Sequence, residues 1–318
     1  MDTQTIREIH ELTLLDGGTP FRYFKDRHAL LLLAWAVGRE GMTIAEIKRS
    51  SYAGLLNKST VKAIISRCGN GRLTAGGLNG YWPEYSDQQF YKLTLGEWAT
   101  GKNRQWAQSQ ITRPGGNLVL QLNFTGQHDQ EYNRLLKKER PFGTRSHPIS
   151  KDRNTLAWSR IDLDLETGEA LIEEIQNDWI RSVQSRARWW STAKEPHRER
   201  MRKYHDWQID NIVTYYDQVL KPHIAHWSEA MLSAALWYLR HEVGVRTIYY
   251  HTFEWGNRFK HINSQWGAPP KSLYTKLPRT FGFKETADVP QFLLNKPTHR
   301  KIRRLLRNEP VRFYKLQI

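Results

Sequence analysis

The sequence predicts an α+β protein: a helical N-terminal module joined to a larger α/β domain with a mixed sheet. Three observations carry this expectation. Apolar residues recur at helical spacing early in the chain, a strand–turn–strand pattern runs from Trp158 to Gln176, and helix-period and strand-period segments alternate beyond it. With 318 residues there is room for two domains, and an apolar fraction of 39% is enough for a packed core.

The stretch Lys25–Arg39 carries Leu30, Leu31, Leu33, Ala34 and Val37 at helical spacing, and Gly38 and Gly41 end it. Thr43 is placed to cap a helix over Ile44–Ser50, with Glu46 completing a capping box. Lys58-Ser59-Thr60 opens a helix over Ser59–Cys68 with Val61, Ile64 and Ile65 as its apolar stripe. A glycine-rich turn at Gly71–Thr74 and the strand-like Phe90–Leu95 follow. Helix, short helix, turn, helix and hairpin is the order of a winged helix-turn-helix, which residues 1–105 resemble. The resemblance implies that Ser59–Cys68 is a recognition helix, with Lys58, Ser59, Thr60, Lys62 and Arg67 toward DNA. Arg72 and the loop Gly76–Tyr81 would form the wing.

A boundary is expected near residue 105. Residues 106–150, a linker or the start of a second domain, hold turn signals at Arg113–Gly116 and Pro141–Gly143, a strand Asn117–Asn123 and a polar helix Asp129–Arg140. Residues 151–318 make the second domain. It opens with a hairpin of Trp158–Leu165 and Ala170–Gln176, turning at Glu166–Glu169, and continues through a helical, Trp-rich Trp179–Leu220. An amphipathic helix Trp227–Val243 ended by Gly244, a strand Val245–His251, a helix Pro270–Arg279, a basic helix Thr298–Arg307 and a strand Val311–Ile318 complete it.

Charge points to the partner. A net charge of +16 makes a field that attracts polyanions. One basic run, Arg181 to Lys203, is interleaved with Trp179, Trp189, Trp190 and Tyr204; another is Arg300, Lys301, Arg303, Arg304 and Arg307. Arg186, Arg188, Arg200, Arg303 and Arg304 are candidates for phosphate contact, and Trp189 and Trp190 for base stacking. The plainer alternative is a solvated basic face or an acidic protein partner. Cys68 is the only cysteine, which excludes an internal disulfide or a multi-thiolate metal site and fits the cytoplasm. The longest apolar run, Ala29–Val37, is about half of what a bilayer span needs, so no membrane partner is expected. His223, His226 and His241 lack metal-binding spacing, and no metal is expected.

The densest polar cluster is Glu173-Glu174-Ile175-Gln176-Asn177-Asp178-Trp179. On a regular strand Glu174 and Gln176 share one face, and Glu173 and Ile175 the other. Acids at the end of an apolar strand are candidates for function, or else pair with nearby arginines. LIEEIQNDW, followed by HWSEAMLSAALWYLRHEVGVRTIYYHT, resembles a domain of the large polyvalent proteins of phages and mobile elements, which implies such an origin. The order hairpin, helix, strand, helix, closing strands is similar to the GNAT acetyltransferase fold, and Leu273–Glu285 resembles the GNAT ending. That likeness implies Tyr274 as general acid and Glu174 as base, with Gln176 and Asp178 beside them. There is no glycine between Asp178 and Trp227 to cradle a pyrophosphate, so no cofactor is expected. The hairpin also has the layout of a Mg²⁺ nuclease core with Asp162 or Asp164 and Glu174 as ligands, but Gln176 stands where a lysine is needed. The expectation is a nucleic-acid-binding protein, DNA in particular, with a divergent GNAT-like domain. Whether it is an enzyme stays open, with the acyltransferase and the nuclease as alternatives.

Overall fold

Every residue from Asn117 to Asn123 is buried, which marks a strand covered on both faces. The computed structural model, which describes residues 1–13, 17–101, 105–144, 146–260 and 268–318, places this strand inside an eight-stranded sheet. The strands among the described residues are β1 (Thr19–Tyr23), β2 (Met42–Thr43), β3 (Arg72–Leu73), β4 (Gln89–Trp98), β5 (Asn117–Asn123), β6 (Thr155–Asp164), β7 (Glu169–Gln176), β8 (Thr247–His251), β9 (Lys284–Thr286) and β10 (Phe313–Gln317). The large sheet has the order β1-β4-β5-β6-β7-β8-β10-β9, and β2 and β3 form a separate two-stranded ladder. All neighbours in the large sheet are antiparallel except β7 and β8, so the fold is mixed α+β. A parallel pair needs a long crossover, and the helical stretch from Trp179 to Val243 provides it. The edges are blunted: β1 carries Pro20, which has no N–H to offer, and β9 is three residues long with Lys284 and Glu285 exposed.

One face is closed by the helix Trp227–Tyr238, in which every residue from Ala230 to Leu236 is buried. A helix apolar all round must be covered on all sides. It lies against β5, β6 and β7, and the helix Arg27–Val37 packs on its other side. It continues as a wider turn through Leu239–Val243 and stops at Gly244, whose φ of 83° is left-handed. On the opposite face Leu171, Tyr249 and Phe313 pack with Phe259, Phe292 and Ile302 from the C-terminal helices, while Trp98, Val119 and Trp158 pack with Ala107 and Ile111.

Around Arg27–Val37 gather the helices Ser59–Ile65 and Ala75–Asn79 and the turn Ala53–Asn57, against which the helix Ile44–Lys48 packs. The expected capping box is present, the Glu46 amide donating to Thr43 Oγ1 at 3.2 Å and the Glu46 carboxylate accepting from the Thr43 amide at 2.7 Å. Three features depart from the expectation. Gly76–Tyr81 is not a wing loop; most of it is the Ala75–Asn79 helix, capped by Thr74 and anchored by buried Leu78. Phe90–Leu95 belongs to β4 of the large sheet. The boundary expected near residue 105 falls between β4 and β5, which pair over Lys92–Trp98 and Asn117–Asn123, so hydrogen bonds of one sheet cross it. Among the described residues no helix is long and apolar enough to cross a membrane.

Candidate functional site

The residues expected to face DNA divide into two groups. Ser59 donates to Asp26 at 2.9 Å, the Thr60 amide reaches the same carboxylate at 3.4 Å, the Thr60 hydroxyl donates to the Lys25 carbonyl at 3.0 Å, and Lys58 Nζ lies 3.9 Å from Asp26. Asp26, held at a left-handed φ of 64°, thus fastens the start of Ser59–Ile65 from a separate segment. Arg72 spends its guanidinium on the Glu40 and Gly41 carbonyls. Lys62 and Arg67 are exposed. Ser59 and Arg72 are exposed too, but they and the other two are engaged by the contacts just described.

The helices Trp179–Thr192 and Glu195–Tyr204 sort the second set. Ile180, Val183, Ala187 and Trp190 form a buried stripe three or four residues apart, so Trp190 is a core residue at 5% exposure. Its neighbour Trp189 is 39% exposed and Tyr204 is 82% exposed. Arg198 donates to the Trp190 carbonyl, and Arg202 is shared between Glu195 and Asp210. Arg186 is half-buried, stacked on Phe142 at 5.5 Å and bonded to the Ser182 carbonyl. Arg188, Lys194, Arg200 and Lys203 are exposed. From Trp179 to Tyr204 the chain holds eight cationic side chains and two acidic ones, so this face is positive after the internal pairs are made. Arg303 and Arg304 are exposed on the helix Arg300–Asn308, whose Ile302 is buried against the sheet.

The acidic strand is not regular. Arg160 pairs with Glu174 and Ile161 with Ile172, which leaves Glu173 as the extra residue of a β-bulge. Ile172 and Ile175 both enter the large core, while both glutamates turn to the other face. The expected alternation of Glu173 and Glu174 is therefore corrected: the bulge puts the two acids side by side. Pairing between β7 and β8 stops at Ile172 and Tyr250, and β7 runs on to Gln176 without β8. In the gap, the Glu174 carboxylate is clamped by Arg160, fully buried, and by Lys260 Nζ at 3.4 Å. Burial pushes the Glu174 carboxyl up, but Lys260 and Arg160 outweigh it and hold it down at about 2. Burial raises Glu173, lowers Lys260, and drives His251 well below its ordinary value. Tyr274 rises well above its own, through burial first and Glu174 second, its ring 5.5 Å from that of Tyr250. Glu173 Oε1 accepts from the Thr112 amide at 2.8 Å, whereas Glu173 Oε2, His251 Nδ1 and the Tyr250 hydroxyl are buried without a partner among the described residues. Orphans of this kind fit a cluster that holds water or a small polar group. Gln176 and Asp178 stand apart from it: Asp178 accepts from Gln176 at 2.8 Å and Arg181 at 2.7 Å and lies 2.6 Å from His147 Nδ1.

No family model, curated protein or solved structure matches this chain. Its chemistry must be read from its own residues. The acids proposed as metal ligands are individually engaged: Asp162 is held bidentately by Arg113 at 2.8 and 2.6 Å, and Asp164 accepts from the Thr167 amide in the hairpin turn. Among the described residues no three His, Cys, Asp or Glu side chains gather as a metal site. His223 faces the Tyr91 hydroxyl, His226 faces Glu229, and His241 accepts from the Trp35 indole. The sequence reading missed Arg160, Lys260, His251 and Thr112. Arg160 left a signal, an arginine at the same strand parity as Trp158 and Asp162. Lys260 and Thr112 left none, because each comes from a segment far away in the chain.

Proposed function

We propose that this protein binds nucleic acid, DNA in particular, through the basic and aromatic face of the helices Trp179–Thr192 and Glu195–Tyr204. The observation that carries the reading is the exposure of Trp189 and Tyr204 among Arg188, Lys194, Arg200 and Lys203. Large aromatic rings left in water beside cations suit bases stacking while phosphates are neutralised. That combination favours a single strand. Lys62 on Ser59–Ile65 and Arg67 just beyond it offer a second basic contact, and the β2–β3 ladder next to three helices supports a winged-helix-like reading of that region. The order β6, β7, helices, β8, with β10 between β8 and β9, supports a GNAT-like reading of the sheet. The likeness of Leu171–Trp179 to polyvalent phage proteins supports a phage or mobile-element setting, and the lone thiol supports a cytoplasmic one.

The test uses single-stranded oligonucleotides over a salt series. Trp189→Ala and Tyr204→Ala are each expected to weaken binding about tenfold or more, since stacking on one base contributes ~1–3 kcal/mol. Trp190→Ala should instead lower the melting temperature, because it empties a core position. Arg188→Ala and Arg200→Ala should flatten the salt slope by roughly 0.7 per contact. Unchanged affinity in both aromatic variants would sink the reading. On duplex DNA, Lys62→Ala with Arg67→Ala should weaken binding alike across sequences; if affinity and slope stay put, Ser59–Ile65 does not face DNA.

Divergent acyl transfer keeps one observation in its favour, the polar cluster where β7 and β8 part. Against it, Glu174 is clamped as a carboxylate and is a weak base, and the Ile180 amide at the start of Trp179–Thr192 is already taken by the Asn177 side chain at 2.8 Å. An amide that a phosphate would use is already spent. Saturable acetyl-CoA binding would reverse this order of preference.

A further inference from the structure

A half-open cavity of about 290 Å³ lies between the start of β4, the first turn of the Gly126–Leu136 helix and the stretch Gln218–His223. Its size is at the small end of ligand pockets. Gln88 and Gln89 line it, and the Oε1 of each is buried without a partner. Gln88 donates its Nε2 to the Pro83 carbonyl at 2.9 Å, so its oxygen is the loose end. Burial holds His223 down at about 3, so its ring is neutral. The Tyr91 hydroxyl is 2.9 Å from His223 Nδ1, and burial raises Tyr91 so that it keeps its proton. In the tautomer in which Tyr91 donates to Nδ1, the ring hydrogen sits on Nε2 as a donor. The Gly126–Leu136 helix starts at Thr125 with no side-chain cap, which leaves its first amides as further donors.

The walls are flat and carry no cation. Phe90 and His128 line the cavity, the latter stacked 3.5 Å from Phe124. No lysine or arginine lines it, and Glu131 does, which disfavours an anion. The adjoining stretch Tyr216–Leu220 is a π-helical turn, and Pro222 has no N–H to give the Gln218 carbonyl. Such turns are frequent at functional sites.

We propose that this cavity binds a nucleobase, a flat uncharged ring whose edge offers both N–H donors and acceptors. Once their side chains turn toward the cavity from these buried positions, the glutamine oxygens would take its N–H groups, and His223 Nε2 and the open amides would serve its acceptors. The site is separate from the basic face, so Trp189→Ala should leave it unaffected. The experiment is calorimetric titration with adenosine, guanosine, cytidine and uridine, following the His128 and His223 ring signals by NMR. At least one nucleoside should bind saturably and shift both histidines. Gln88→Leu with Gln89→Leu should weaken it roughly tenfold, as loss of hydrogen-bond partners predicts. The histidine shifts of the unmodified protein keep the test decisive if that variant folds poorly. Displacement by a single-stranded oligonucleotide assigns the site to a base of a strand, and no displacement assigns it to a free nucleoside. Failure of all four nucleosides to bind, unchanged binding by the folded double variant, or equal binding of phenol would overturn the proposal.

Discussion

Replacing Glu174 with alanine is expected to destabilise the fold by about 3–5 kcal/mol, the usual cost of breaking a buried ion pair from one side. Arg160 is fully buried and Lys260 nearly so, and both turn to this one carboxylate. Without it two cations remain in a medium that cannot solvate them. Chemical denaturation of the variant measures the loss. A Glu131→Ala control, which breaks an exposed pair with Arg134, should melt like the parent. The companion variant Arg160→Met, Glu174→Leu, Lys260→Met should regain most of the lost stability, because apolar replacements of a whole buried network are often neutral or better. Recovery would mean that these charges are kept for something other than stability. A cost below about 1 kcal/mol for Glu174→Ala would mean that water reaches the gap between β7 and β8.

Stability is expected to fall steeply as pH drops below neutrality. His28 and His223 are held down at about 3, in both cases chiefly by burial, His28 also stacked 4.5 Å from Phe281. Between 6.5 and about 3 the unfolded chain binds protons that the folded chain refuses, so each histidine removes roughly 1.4 kcal/mol per pH unit. By pH 5 the pair removes about 4 kcal/mol. Below 4.5 Glu174 adds to the loss, since its folded value is lower than its unfolded one. Glu173 works the other way: raised in the fold, its contribution is greatest in acid and is lost as pH rises through its folded value. Urea midpoints measured from pH 8 to pH 4 should trace this fall, and His28→Asn with His223→Gln should flatten it. A midpoint constant between pH 7 and pH 5 would show that both rings are protonated in the folded state.

The strand Asn117–Asn123, the hairpin turn and the stop at Gly244 were all legible because each is written in adjacent residues: an apolar run, a turn tetrad, a glycine after a helical stripe. Trp190 was expected to stack on bases with Trp189 and is instead a core residue, which its spacing from Ile180, Val183 and Ala187 spells out. The bulge was not legible. Glu173 and Glu174 look like ordinary alternation, and the partner that makes one of them superfluous, Arg160, lies on another strand. Nor was the Ala75–Asn79 helix legible, since Gly76 and Gly77 argue for a loop and buried Leu78 decides against it. Asp26 takes a left-handed conformation usually left to glycine, tied down by Ser59 and Thr60 more than thirty residues on. The clamp on Glu174 needs Lys260, which no local pattern links to it.

The ladder joining β4 to β5 bears on how this protein can be taken apart. A fragment ending near residue 105 would present the whole inner edge of β4, with its unpaired amides and carbonyls, to any neighbour. The complementary fragment would begin with β5, a strand buried on both faces and now bare along one side. It would also strip Trp227–Tyr238 of the Arg27–Val37 helix that covers it. Each half made alone should therefore collect in the insoluble fraction, while the two made together in one cell should purify as a pair.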